Sequence, residues 1–212
     1  MSWSDGGTGE GGDPRLYHFD LPRERRPEPT PLAERWFPGA RAAWPSCTST
    51  RAGDPIREVS LVVIHATAGV SSRGAFSVMQ ARRASFHWLV PDENEAAHGR
   101  YVWATAPERR SAWHVRNRCR HDGVLAGRTR LNQVSLGVEI VNRQRPRSAG
   151  VDRFSPWQVA ATAAIVRYAW GKYPNLRHVV SHARLDPGRR TDPGPYFPWD
   201  EFERQSLTGA AL

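Results

Sequence analysis

Leu61-Val62-Val63-Ile64-His65-Ala66-Thr67-Ala68-Gly69 is the stretch that decides the fold of this 212-residue chain. Four branched apolar residues in a row present no polar side, so they read as a short strand covered on both faces and not as one side of an amphipathic helix. The strand, placed at residues 59–65, breaks on His65, and the small residues that follow leave space beside an imidazole. Three other segments share this character. Residues 85–91 contain Phe86-His87-Trp88-Leu89-Val90, residues 135–141 read Ser-Leu-Gly-Val-Glu-Ile-Val, and residues 176–181 form a short apolar run that delivers His182. Tyr101-Val102-Trp103 is a further candidate strand.

Helical signals lie between these strands. Residues 74–83 have mixed polarity at helical spacing. Ser155-Pro156-Trp157-Gln158 opens the best helix, with a cap residue, proline at the first helical position, apolar periodicity from Val159 to Trp170, and Gly171 to close it. A brief helix is expected after Pro198. Strands and helices alternating irregularly give an α/β (α+β) class, a single domain with a central mixed β-sheet flanked by helices. We place that domain at residues 55–205, with an arm over 1–54 and a tail over 206–212. The arm holds Gly6-Gly7, Gly11-Gly12, seven prolines before position 46 and the cluster Arg23-Glu24-Arg25-Arg26, so it is expected to be largely irregular, with Trp36, Phe37 and Trp44 available to pin it.

Composition narrows the partners. The net charge is +9, and Lys172 is the only lysine, so arginine dominates a surface that attracts polyanions in general. No helix-turn-helix, RNP-like strand or finger spacing accompanies that charge, which argues against a specific nucleic-acid partner. Cys47 and Cys119 are too few and too far apart for a disulfide framework or a cysteine metal site. The first residues lack a basic start followed by an apolar run, and no apolar run is long enough to span a bilayer. The expectation is a cytoplasmic protein, released by lysis or a non-classical route if it acts outside.

The chemistry-bearing residues gather at strand ends. His65 and His182 each end an apolar strand, and adjacent strand ends converge their side chains at one edge of a sheet. Asp192 follows ten residues after His182, across a turn built by Pro187 and Gly188. Singly, each has an ordinary alternative: a core histidine bonded to a carbonyl, or a turn residue before Pro193. Together, two neutral imidazoles and one carboxylate are the ligand set of a zinc site with an open fourth position. Hydrolysis would further require a base and an oxyanion partner. Glu139, flanked by apolar residues in its strand, is either a solvent-facing position or an inward acid placed as a general base. Arg190 is either a surface charge or a fixed cation at the same cavity. His114, after Trp113, opens an arginine-rich loop over residues 109–130; it either lines a substrate groove or serves structure, and Arg116 with its neighbours suits bidentate binding of carboxylates. His87 reads as a buried, hydrogen-bonded residue. No motif surrounds His18, His98, His121 or His178.

In order along the chain, Val63-Ile64-His65-Ala66-Thr67-Ala68, Ser85-Phe86-His87-Trp88-Leu89-Val90, Ser111-Ala112-Trp113-His114, residues 132–140, and residues 181–195 resemble the zinc-dependent N-acetylmuramoyl-L-alanine amidases over roughly residues 58–203. The resemblance is to the type shared by muropeptide-recycling enzymes, some phage lysins and peptidoglycan recognition proteins, and its final segment is the most specific. It implies that His65, His182 and Asp192 hold Zn2+, that Glu139 activates water and that Arg190 steadies the oxyanion; beside it, Trp113, His114 and Arg116 are the residues expected to bind substrate, with a structural role for His114 and a solvated loop surface for the arginines as the alternatives. The implied reaction cleaves the amide between N-acetylmuramic acid and L-alanine in peptidoglycan or muropeptides; the alternatives are a non-catalytic peptidoglycan-binding module and, behind it, a basic nucleic-acid-binding protein. The chain departs from the family pattern in three places. Arg190 stands where lysine is common, Phe86 where the phage-lysozyme branch has a tyrosine, and Asp192 where many recognition proteins have cysteine, which places the chain nearer the recycling branch.

Overall fold

The computed structural model describes residues 12–28, 36–38, 47–81, 83–95, 101–144, 146–147, 150–151 and 153–209. Trp44, His98, Gly6, Gly7, Gly11 and the last three residues of the expected tail lie outside these, as do the side chains of Trp36 and Phe37. The strands are β1 (His18–Asp20), β2 (Trp36–Pro38), β3 (Thr48–Thr50), β4 (Leu61–Ala66), β5 (Trp88–Val90), β6 (Val102–Ala104), β7 (Arg110–Ala112), β8 (Ser135–Ile140), β9 (Pro146–Arg147), β10 (Gly150–Val151) and β11 (His178–Ser181). The helices are α1 (Pro55–Glu58), α2 (Ser72–Gln80), α3 (Pro156–Lys172), α4 (His182–Leu185) and α5 (Trp199–Thr208). Among the described residues, no helix is long and apolar enough to cross a membrane.

Seven strands form one mixed sheet in the order β1-β11-β4-β8-β5-β6-β2. Its centre, β11-β4-β8-β5, is parallel throughout. As the apolar run suggested, all six residues of β4 are buried, and so are all six of β8. Alternation divides each strand between two faces. Val62, Ile64, Leu136, Val138, Ile140 and Val179 pack with α3 and α5 in the main core, whereas Leu61, Val63 and Val180 join a smaller cluster with Leu131 and Leu185. His65, Ser135, Gly137 and Glu139 therefore share the face turned away from α3.

Over its described residues the arm is largely irregular, as read, and it also contributes short strands to the sheet. Residues 18–20 pair antiparallel with β11 as the sheet's edge strand, and Phe19 and Leu21 are buried. Tyr17 stacks on Trp199 at 4.8 Å. The expected stop at Gly171 also differs, since α3 runs on to Lys172. Its N-terminus is the predicted cap with a full capping box between Ser155 and Gln158. At its C-terminus, Arg26 of the arm donates from Nε to the carbonyl of Trp170 (2.8 Å) and from Nη2 to that of Gly171 (2.6 Å). Those carbonyls lack intrahelical partners, and the guanidinium supplies what a glycine turn would otherwise provide.

Candidate metal centre

Ligand sites in parallel sheets form beyond the carboxyl ends of the strands, and the three sequence-read ligands meet there. His65 lies near the end of β4, and His182 directly follows β11, its parallel neighbour. Asp192 returns on the loop after α4, where its carbonyl accepts a hydrogen bond from the backbone N–H of Ala183 (3.0 Å). The two Nδ1 atoms of His65 and His182 lie 3.0 Å apart, and Asp192 Oδ2 lies 3.1 Å from the first and 3.0 Å from the second. All three residues are buried.

A relay of hydrogen bonds behind His65 decides where its proton sits. The carbonyl of Leu131 can only accept, so the Ser135 hydroxyl donates to it (2.7 Å). Having spent its proton, Ser135 Oγ accepts from His114 Nε2 (3.1 Å). Burial, and then the neighbouring imidazoles, hold the pKa of His114 well below the ordinary histidine value, so the ring is neutral and its Nδ1 accepts. That nitrogen lies 3.0 Å from His65 Nε2, which must donate. His65 is itself neutral, its pKa pushed down to about 4 by burial and by His182. Its Nδ1 therefore carries a bare lone pair, 3.1 Å from a carboxylate oxygen. Two acceptors at that distance repel unless a cation lies between them, so these residues fit a divalent metal. The backing of a ligand histidine by a second polar group is the usual means of fixing its tautomer.

Glu139 is the register partner of His65 across β4 and β8. It is buried, and its Oε2 finds no hydrogen-bond partner among the described residues. Burial and the charge of Asp192 raise its pKa well above the carboxylate range, while Arg190 pulls the other way. A cleft of about 530 Å3 is lined by His65, His114, Glu139, His182, Arg190 and Asp192, with α2 forming a wall through Ala75 and Val78. The guanidinium-bearing Arg190 is exposed at this cleft. Phe86 packs edge-on against His65 at 5.1 Å, so the position where a phenol would sit in the phage-type pattern presents only hydrocarbon.

The residues expected to contact substrate divide. Trp113 is 38% exposed and lines an adjoining groove of about 420 Å3, which shares His114, His182 and Arg190 with the first cleft. His114 is buried behind His65, so its polar atoms serve the relay. Arg116 also lines the groove, but its fork is engaged by Asp186, with Nε–Oδ2 at 2.9 Å and Nη2–Oδ1 at 2.6 Å. His87 is buried as expected, accepting from the backbone N–H of Gly137 and meeting Arg51 and the Arg110 carbonyl.

Sequence reading missed two supporting positions. Arg51 is buried, and its guanidinium donates to the carbonyls of Glu108, Asn132, Gln133 and Ser135, which ties the end of the arm to the start of β8. Desolvation lowers its pKa to about 10. Gly137 is the other: a Cβ there would lie 2.7 Å from His114 Cγ, so the absent side chain makes room for the relay ring. A glycine inside a strand is the recognised signal of such a close approach.

Residues 55–195 match the family model described as N-acetylmuramoyl-L-alanine amidase. The chain belongs to this family. N-acetylmuramoyl-L-alanine amidase AmiD of Escherichia coli is 33% identical over 156 residues, which cover 70% of this chain and 54% of that protein. The 1,6-anhydro-N-acetylmuramyl-L-alanine amidase AmpD of the same organism is 30% identical over 132 residues, covering 60% of this chain and 61% of that one. The chain thus spans little more than half the length of these relatives. Among solved structures, it resembles E. coli AmiD in complex with the substrate anhydro-N-acetylmuramic acid-L-Ala-D-gamma-Glu-L-Lys (TM-score 0.58, 30% identity, 75% of this chain and 61% of that one). It also resembles AmpDh3 of Pseudomonas aeruginosa (TM-score 0.60, 25% identity, 75% and 63%). The amidase region holds the three ligand residues, Glu139 and Arg190, whereas β1 and α5 fall outside it.

Proposed function

We propose that this protein is a zinc-dependent amidase that hydrolyses the amide joining N-acetylmuramic acid to L-alanine, in peptidoglycan or in soluble muropeptides. The observation that carries the reading is the meeting, in one cleft, of three buried ligand atoms 3.0–3.1 Å apart with a buried carboxylate, Glu139, whose Oε2 has no hydrogen-bond partner among the described residues. His65, His182 and Asp192 would hold the zinc, which supplies Lewis-acid polarisation of the scissile carbonyl and makes water a better nucleophile near neutral pH. Glu139, with a raised pKa and a free oxygen, takes the proton of the attacking water and returns it to the leaving amine of L-alanine. Arg190, a permanent cation at the cleft, balances charge that develops on the carbonyl oxygen. The adjoining groove with the exposed Trp113 ring offers a surface for the stem peptide or a sugar.

Mass spectrometry of products from whole sacculi and from soluble anhydro-muropeptides, with and without a chelator, tests this. Free stem peptides and peptide-free glycan, lost on chelation and restored by zinc, are the expected result. An unchanged muropeptide pool at every zinc concentration would overturn it in favour of a non-catalytic binding protein.

A further inference from the structure

The described residues contain a second cluster of two histidines and one aspartate. His18 and Asp20 stand two apart on β1, so both leave the same face of that strand. Asp20 is the antiparallel partner of His178 on β11, which brings a third side chain to that face. His178 Nδ1 lies 2.7 Å from Asp20 Oδ1, His18 Nε2 lies 3.0 Å from the same oxygen, and the two ring nitrogens are 3.4 Å apart. Ligands bonded to a tetrahedral zinc at ~2.0–2.1 Å stand ~3.3 Å from one another. The triangle therefore closes on one ion about as well as the buried cluster does. Both imidazoles are largely covered, with side chains 16% and 20% exposed, while Asp20 is 70% exposed. Arg184 acts against a cation here, since its charge also bears on His18, and the anionic Asp20 oxygen between the two rings offsets it.

We propose that His18, Asp20 and His178 form a second divalent-cation site, of the zinc class, whose role is to fasten β1 to β11. The site sits at the start of the strand that His182 follows, four residues earlier, where no acid comparable to Glu139 accompanies it in the cluster. Its work is mechanical. The β1–β11 ladder has only three residue pairs, and an ion bridging both strands fixes their register. Through β1 it also holds Tyr17 on Trp199 and Arg26 on the end of α3.

Full-length protein, stripped with chelator, loaded with zinc and freed of excess, is analysed for metal content per chain. The wild type is expected to hold two equivalents, and His18→Ala and the surface change Asp20→Asn one each. His182→Ala is expected to retain the edge equivalent, and zinc should still raise its melting temperature; adding Asp20→Asn should abolish both the equivalent and the rise. A wild type with a single equivalent that Asp20→Asn leaves in place overturns the proposal. So does a His182→Ala variant that folds yet neither binds zinc nor is stabilised by it. None of these readouts uses amidase turnover, so their failure is separate from failure of the functional reading.

Discussion

The two His-His-Asp clusters on this sheet use the same donor types at similar spacings, 3.0–3.1 Å in the buried one and 2.7–3.4 Å at the edge. They differ in what surrounds them. At the buried cluster the relay through His114 and Ser135 commits one proton, the Glu139 carboxylate, whose Oε2 has no hydrogen-bond partner among the described residues, stands across the strand pair, and a cleft admits a ligand. At the edge, the carboxylate is mostly in solvent and already serves both rings. The difference teaches that the donor set selects for a cation, while burial and neighbouring acid decide whether the cation can take part in chemistry.

The sharpest way to break this contrast is His182→Ala. Losing a ligand of the buried cluster is expected to lower amidase turnover by at least about a thousandfold, several kcal/mol of transition-state stabilisation, measured by peptide release. Glu139→Gln comes next, with metal retained and kcat reduced by about 10²–10⁴; a fully active variant would move the base role elsewhere. Arg190→Gln should cost up to about 10² in kcat, and it carries a pH signature. Glu139 holds its proton above the ordinary glutamate value of about 4.3, because burial and Asp192 oppose its charge. In the proposed role it acts as a base only once that proton is lost, so the rate is expected to rise with pH along an acid limb displaced upward. Arg190 favours the carboxylate, and removing it moves that limb to still higher pH. The smallest effect belongs to the relay. His114→Ala should weaken zinc binding about 10- to 100-fold by calorimetric titration, with no comparable loss at the edge cluster.

Much of this was legible from local pattern. β4 and β8 were readable because strands covered on both faces need unbroken apolar runs, and His65 and His182 stood out as polar residues terminating such runs. The capping of α3 at Ser155 was equally plain. Three features were hidden for physical reasons. β1 is three residues long inside a proline-rich, charged arm, and its pairing depends on β11, some 160 positions away. Gly171 stays helical because Arg26, distant in sequence, satisfies the carbonyls that a glycine normally leaves to a turn. The role of His114 could not be read because its partners, His65 and Ser135, come from two other strands. Glycine at position 137, in an otherwise apolar strand, was the one local hint that a bulky ring lay above it. Arg51 gave no such hint: an arginine among 29 is unremarked until its donors are seen to be saturated by backbone.

The edge pairing of β1 has a practical outcome. A polypeptide trimmed to the matched span, 55–195, would lack both this strand and Arg51. Unpaired N–H and C=O groups along β11, beside Val179 and Val180, would then be offered to any passing strand, the template from which self-association begins. Shortened versions are expected to precipitate where the full chain does not, and the segment that looked most dispensable acts as the molecule's hem.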